Sequence, residues 1–433
     1  LKNILNKERW PMIAKLIIYH IGELITPINT PPVKGKSMRE VKRLKDAFVA
    51  INDGLIMAIG SGDYHAFQNE NTVLYDASGA LMVPSFIDGH THLVFGGSRE
   101  HEFADKVAGV PYLDILKRGG GIFSTVNSTR AATPSELENQ ARKSLDLMLS
   151  YGVTTIEAKS GYGLDYNTEM RQLEVAKLLN TTHPIDIIST YMGAHAIPKE
   201  YANNRDGYVA EIIKTMKIVK ARNLAIFADV FCEDEVFTPQ ETRTILTAAK
   251  TIGLIPKIHA DEIESIGGAK IAVDLHAASA DHLMAISPED ITRLAQSETI
   301  ANLLPGTSFY LNKDYANARA LIDAGCAIGI ASDYNPGSSP SENFQLIMQL
   351  AAGKLRMTPE EILNAVTINA AYHLQIADKV GSIAVGKQAD LVLLDAMNLE
   401  YILYHYGINH TLAVFKNGIL VYAAKRNLFG GIQ

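Results

Sequence analysis

Leu81-Met82-Val83-Pro84-Ser85-Phe86-Ile87-Asp88-Gly89-His90-Thr91-His92 carries a short apolar run straight into two histidines one residue apart. The apolar part, 81–86, has the length and composition of a buried strand. The same unit, a short apolar run followed by a longer helical pattern, recurs from about Pro84 to Leu374. The further runs are 153–157, 185–191, 227–232, 255–259, 279–283, 299–303 and 327–331, which with 81–86 make eight candidate strands. Eight parallel strands, each followed by a helix, close into a barrel. The expected fold class is therefore α/β, a (β/α)8 TIM-like barrel.

Helix starts within this region are marked by chemistry. Thr133-Pro134-Ser135-Glu136 offers an N-cap, a proline at the first helical position and a glutamate at the third, a capping box. Thr238-Pro239-Gln240-Glu241 and Thr358-Pro359-Glu360-Glu361 repeat the device. Leu137, Ala141, Leu145 and Met148 then recur at helical spacing until Gly152; Ile245, Ala249 and Ile252 do so until Gly253.

Outward from the barrel the pattern changes to short strands joined by turns. Residues 12–18 read as a strand entering a sheet, without the long apolar core and cleavage site of a leader. Asn52-Asp53-Gly54 and Asn417-Gly418 lie between apolar runs, a strong hairpin signal. Residues 1–78 and 382–433 are expected to form one small β-sandwich domain built by both chain ends, beside a barrel of 79–381.

The chain has 433 residues, 47% hydrophobic and 20% charged, with a formal net charge of -7. This is the balance of an ordinary globular protein, mildly acidic, and it argues against nucleic acid or an anionic membrane as partner. Only Cys232 and Cys326 occur, far apart, which disfavours a disulfide framework and favours the cytoplasm. No apolar run reaches the roughly 20 residues that span a bilayer.

In a barrel, functional side chains sit at the C-terminal ends of strands. Those positions hold His90 and His92, Glu157 and Lys159, His195, Glu233, His259, His282 and Asp333. His90-Thr91-His92 puts two imidazoles on one side of an extended segment, because side chains alternate there. With His259 and Asp333 they make a ligand set for one divalent ion, zinc or iron. Each residue alone has a plainer explanation, a packed histidine or a helix-capping aspartate; their joint position at strand ends favours the metal. Glu262, three residues past His259, and His282 can face the same cavity as proton-transfer groups. Their plainer alternatives are a surface ion pair and a bond to a backbone carbonyl. No lysine ends the fourth strand, where Phe231-Cys232-Glu233-Asp234 stands, so a single metal is expected rather than a lysine-bridged pair.

These motifs, with Gly381-Ser382-Ile383-Ala384-Val385-Gly386-Lys387-Gln388-Ala389-Asp390-Leu391, resemble the amidohydrolase superfamily over nearly the whole chain. The chain closely resembles the branch that opens the cyclic amide of 4-imidazolone-5-propanoate in histidine degradation. Phe95-Gly96-Gly97-Ser98-Arg99, Arg118-Gly119-Gly120-Gly121-Ile122, Glu157-Ala158-Lys159-Ser160-Gly161-Tyr162-Gly163, Gly193-Ala194-His195-Ala196 and Asp333-Tyr334-Asn335-Pro336-Gly337-Ser338 carry that closer likeness. The first forty-odd residues match least.

The resemblance implies that Arg99, Tyr162, His195, Glu262, Asn335, Gly337 and Ser338 contact substrate or product, and that the protein is a homodimer. It implies hydrolysis by a metal-activated water, with Glu262, His282 and Asp333 as catalytic residues. Which of the three is the first base stays open, since coupled groups share their titration. A guanidinium at Arg99 suits the substrate's carboxylate tail, and His195 is expected to hydrogen-bond the substrate and polarise its carbonyl. Spacing alone favours plainer readings, Arg99 as a surface charge, Tyr162 as a packed aromatic and 335–338 as a tight turn, and the resemblance reverses that. A deaminase of the same superfamily is the nearest alternative, though a neutral heterocycle gives Arg99 no carboxylate to hold. A catalytically silent binding protein is a further one, but no ligand or proton shuttle is missing.

Overall fold

The computed structural model describes residues 13–110 and 120–425. Of the motifs above, Arg118 and Gly119 lie outside the described residues, as does Met12 of the expected opening strand.

All three capping boxes form. Thr133, Thr238 and Thr358 each accept the amide of the glutamate three residues on, which caps back onto the threonine amide. Gly253 ends its helix with φ +90°, a conformation that glycine adopts without a Cβ penalty. The helices pack outside a parallel sheet of eight strands hydrogen-bonded in chain order. They are Phe86–Asp88, Val153–Lys159, Asp186–Ala194, Phe227–Cys232, Ile255–Ala260, Ser279–His282, Ile300–Leu303 and Ile328–Ile330.

The expected first strand, 81–86, is two strands. Leu81–Pro84 pairs with Leu391–Leu394 and Leu16–Pro27 in a second sheet, and only from Phe86 does the chain join the barrel. The switch occurs at Ser85, whose amide bonds to Asp390 while the amide of Phe86 bonds to Gly152. Pro84, which has no N–H to give, stands at the break.

The barrel's seam, between its first and eighth strands, closes beyond the strands themselves. The Ser332 amide and hydroxyl donate to the Asp88 carboxylate, at 2.9 and 2.5 Å. The Asp333 amide donates to the His90 carbonyl at 3.0 Å, and the His92 amide to the Tyr334 carbonyl at 2.8 Å. The seam is thus stitched by the segments that carry the expected ligands.

Both chain ends build the second sheet, in the order Ile419–Ala423, Thr411–Lys416, Leu391–Leu394, Leu81–Pro84, Leu16–Pro27, Val41–Asn52, Leu55–Ser61. Val73–Asp76 pairs alongside Leu16–Pro27. The sheet is mixed and continuous, and it encloses a core of its own that includes Ile18, Val49, Leu391 and Phe415. Both predicted hairpins form, with Asp53 and Gly54, and Asn417 and Gly418, at positive φ. Lys416 fastens this sheet to the barrel, its ammonium lying 2.5 Å from Asp390 and 2.6 Å from Asp186. Among the described residues no helix is long and apolar enough to cross a membrane.

Candidate metal centre

Strand alternation turns His90 and His92 inward at the barrel mouth, and Gly89 between Asp88 and His90 allows the close packing this needs. A Cβ there would lie 2.4 Å from the ring of His373. His90, His92 and His259 are buried and offer ligand atoms within 4.8 Å of one another; His90, His282 and Asp333 form a second, overlapping group. His90 Nε2 lies 3.5 Å and His92 Nε2 3.8 Å from Asp333 Oδ1. Among the described residues, His90 Nε2 and His259 Nε2 are buried without a hydrogen-bond partner. Unpaired buried nitrogens beside a carboxylate oxygen are expensive unless a cation takes them up. The donor set of imidazole nitrogens and a carboxylate therefore fits a divalent metal ion.

A second set of groups orients the first. His90 Nδ1 meets Asp281 Oδ2 at 2.7 Å and His259 Nδ1 meets Asp229 Oδ1 at 3.1 Å. A carboxylate on one ring nitrogen fixes the tautomer and leaves the other free to ligate. Lys159 Nζ lies 2.6 Å from Asp229 and 2.9 Å from Glu157, and Lys257 Nζ lies 2.6 Å from Glu157, all fully buried. Burial holds His90, His92 and His282 well below the ordinary imidazole range. Burial acts the same way on His259, but the charge and hydrogen bond of Asp229 outweigh it and the net shift is upward.

Asp333 adopts φ +55° and receives Thr307 Oγ1 at 2.5 Å and Ser338 Oγ at 3.2 Å. His282 and Leu283 are also left-handed, at φ +78° and +62°, strain of the sort that collects where side-chain placement matters. Glu262 faces His282, with Oε2 3.5 Å from Nε2. Burial, then the nearby Asp333 carboxylate, raises the Glu262 carboxyl to about 8.

The residues expected at the substrate also gather here. The His195 ring stacks on His92 at 4.9 Å, and Tyr162 lies 5.6 Å from His92 and 5.2 Å from His195, ring to ring. Burial pushes His195 down to about 3, and its Nδ1 bonds to the Gly161 carbonyl at 3.0 Å. Arg99 is not a solvated charge: its side chain is 8% exposed and pairs with buried Glu102 at 3.1 Å. Its Nη1 packs so closely on the turn after the eighth strand that a Cβ at Gly337 would stand 2.2 Å away. In that turn Asn335 Oδ1 accepts the Gly337 and Ser338 amides at 2.7 and 2.8 Å.

Sequence reasoning missed Asp229, Lys257, Asp281, Glu102 and Thr307. The available signal was a charged residue two places before a strand-end residue in an apolar run, as Lys257 stands to His259.

Residues 81–423 match the amidohydrolase family. The imidazolonepropionase of Fusobacterium nucleatum is 52% identical over 413 residues, 95% of this chain and all of that protein. That of Streptococcus pyogenes serotype M6 is 50% identical over 94% of this chain and 98% of its own. The chain belongs to the amidohydrolase family, in its imidazolonepropionase branch. Among solved structures, 5-methylcytosine deaminase from Klebsiella pneumoniae superposes with a TM-score of 0.73 at 17% identity, covering 96% of this chain and all of that one. A zinc-bound adenosine deaminase from Xanthomonas campestris gives 0.72 at 18%, covering 95% and 93%. At that identity the likeness is one of fold. This amidohydrolase therefore shares an architecture with deaminases and its sequence with imidazolonepropionases.

Proposed function

We propose that this amidohydrolase opens the cyclic amide of 4-imidazolone-5-propanoate to N-formimidoyl-L-glutamate, in the cytoplasm and as a homodimer. The reading is carried by one juxtaposition. A fixed guanidinium, Arg99, stands one turn away from Asp333, since Gly337 touches the first and Ser338 bonds the second. A substrate with a reactive ring carbonyl and a carboxylate tail needs both ends at that separation, whereas a neutral base needs only one.

His90, His92, His259 and Asp333 are the proposed ligands of one ion, zinc or iron. When bound, such an ion lowers the pKa of a water from about 15.7 towards roughly 7 and so supplies a nucleophile at neutral pH. Asp333 accepts the proton as the water oxygen adds to the ring carbonyl, and His282 orients that oxygen or stabilises the oxyanion. The carbon–nitrogen bond then breaks, and Glu262, protonated at neutral pH, delivers its proton to the departing ring nitrogen. His195 takes a different part from the carbonyl polarisation expected of it. With its Nδ1 proton directed at the Gly161 carbonyl and the ring neutral, Nε2 is an acceptor and receives a ring N–H. Arg99 grips the propanoate, while Tyr162 and the turn Asn335, Gly337, Ser338 enclose ring and product.

The test follows loss of imidazolone absorbance on adding enzyme, before and after a chelator, with cytosine and guanine as controls. Metal-dependent loss is expected; deamination of either base in its place would sink the reading. Elemental analysis decides between zinc and iron, and light scattering reads the oligomer.

A further inference from the structure

Glu233 directly follows the fourth barrel strand with a carboxylate that is 1% exposed and, among the described residues, paired with no basic side chain. Its oxygens accept backbone amides instead: Asp234 at 3.0 Å, Ile263 at 2.8 Å and Glu264 at 3.1 Å. The last two belong to the loop after the fifth strand, directly following Glu262. The Ile263 amide shares its peptide plane with the Glu262 carbonyl, so the clamp fixes the backbone rotation that aims the Glu262 side chain.

On its other side the same residue is anchored as firmly. Asp261, at φ +49°, accepts the Gly268 and Ala269 amides at 3.2 Å through its carboxylate and the Ala285 amide at 2.8 Å through its carbonyl. Glu262 is thus the one residue between two anchored neighbours, and its carboxylate meets His282 at 3.5 Å. A buried carboxylate that accepts only backbone amides among the described residues, two of them from a neighbouring loop, makes no ion pair; its effect is to hold that loop.

We propose that Glu233 is the positioning residue for Glu262, setting the reach of its proton to the departing nitrogen; this rests on the role given to Glu262 above. A displacement of about 1 Å at a proton donor costs on the order of 100-fold in rate. Glutamine at 233 keeps the shape but turns a donor towards amides that need an acceptor.

The test is a cycle on metal-loaded protein: Glu233→Gln, Glu262→Gln and both together, measuring kcat, KM and bound metal. Glu233→Gln is expected to lower kcat on the order of 100-fold, with KM and metal content little changed. In the Glu262→Gln background the same substitution should add less than about twofold, because it acts through a group already removed. Losses that multiply, or loss of metal in the single variant, would overturn the proposal. Full activity of Glu262→Gln would instead overturn the role of Glu262, and the proposal with it. Should Glu233→Gln fail to fold, Glu233→Asp, which keeps the charge and shortens the reach, carries the same cycle with the same outcomes.

Discussion

Asp229 lies within the fourth barrel strand and Glu233 directly follows it; both are buried, and the protein satisfies them by different means. Asp229 belongs to the barrel floor beneath the ligands, where acids meet basic side chains: Lys159 at 2.6 Å and the His259 imidazole at 3.1 Å, with the His259 amide a further donor at 3.2 Å. Glu233 belongs to the rim, where acids meet backbone amides. Glu169 repeats the rim pattern, accepting Gly161, Gly163 and Leu164 amides at 3.1, 2.8 and 2.9 Å and so holding the loop of Tyr162. The difference sorts two tasks. Charge on the floor sets the protonation and aim of ligand imidazoles, and amide clamps on the rim set where loops present their side chains.

The comparison breaks most visibly at Lys159. Lys159→Met would leave Glu157, Asp229 and Asp281 with Lys257 alone among buried lysines, and losing one partner of a buried charge set costs about 3–5 kcal/mol. Urea denaturation of the metal-loaded variant reads this directly. A loss under about 1 kcal/mol would mean the floor charges do not depend on one another. Asp229→Asn tests the floor more gently. It keeps the shape but weakens the hold on His259, and metal affinity should fall roughly 10- to 100-fold, with turnover recovered at saturating metal. Unchanged affinity in a chelator competition would remove Asp229 from ligand orientation.

The rim was less legible in the sequence than the ligand cluster, for a physical reason. His90, His92, His259 and Asp333 announce themselves because strand ends in a barrel are few and polar residues there converge. The capping boxes and the Asp53-Gly54 turn were equally readable, since each depends on residues within four positions. Glu233 was visible as a strand-end acid, but its partners are amides some thirty residues on, and an amide carries no sequence signature. Lys257 and Asp281 were hidden differently: inside apolar strands they read as interruptions until the barrel closes and brings Lys257 to Glu157 and Asp281 to His90. The division of 81–86 at Ser85 also depended on which strands stand on either side, although Pro84 marked the place.

Gly337 sharpens the rim side. A Cβ there would collide with Arg99 Nη1, so Gly337→Ala should push the guanidinium off its seat without touching the ligands. Weakening one charge-assisted hydrogen bond by about 1.5 kcal/mol predicts a KM roughly tenfold higher, with kcat less affected. An unchanged KM would place the carboxylate tail elsewhere in the mouth.

The smallest effect expected is on pH dependence, and it discriminates well. Burial, followed by Asp333 and Glu233, raises Glu262 to about 8, with the positive influence of His259 opposing them and His282 standing at 3.5 Å. Below that pH the carboxyl holds the proton it is to donate; above it the donor is lost. At saturating substrate kcat should therefore fall on the alkaline side, halved near pH 8 and dropping about tenfold per unit beyond. Removing the Glu233 charge takes away one influence that favours the protonated form, so in Glu233→Gln the residual activity should fall off at lower pH than in the parent. A limb that stays in place while the rate drops would mean that Glu233 acts on loop geometry alone. A limb that moves upward would contradict the sign of the interaction and the proximity on which it depends.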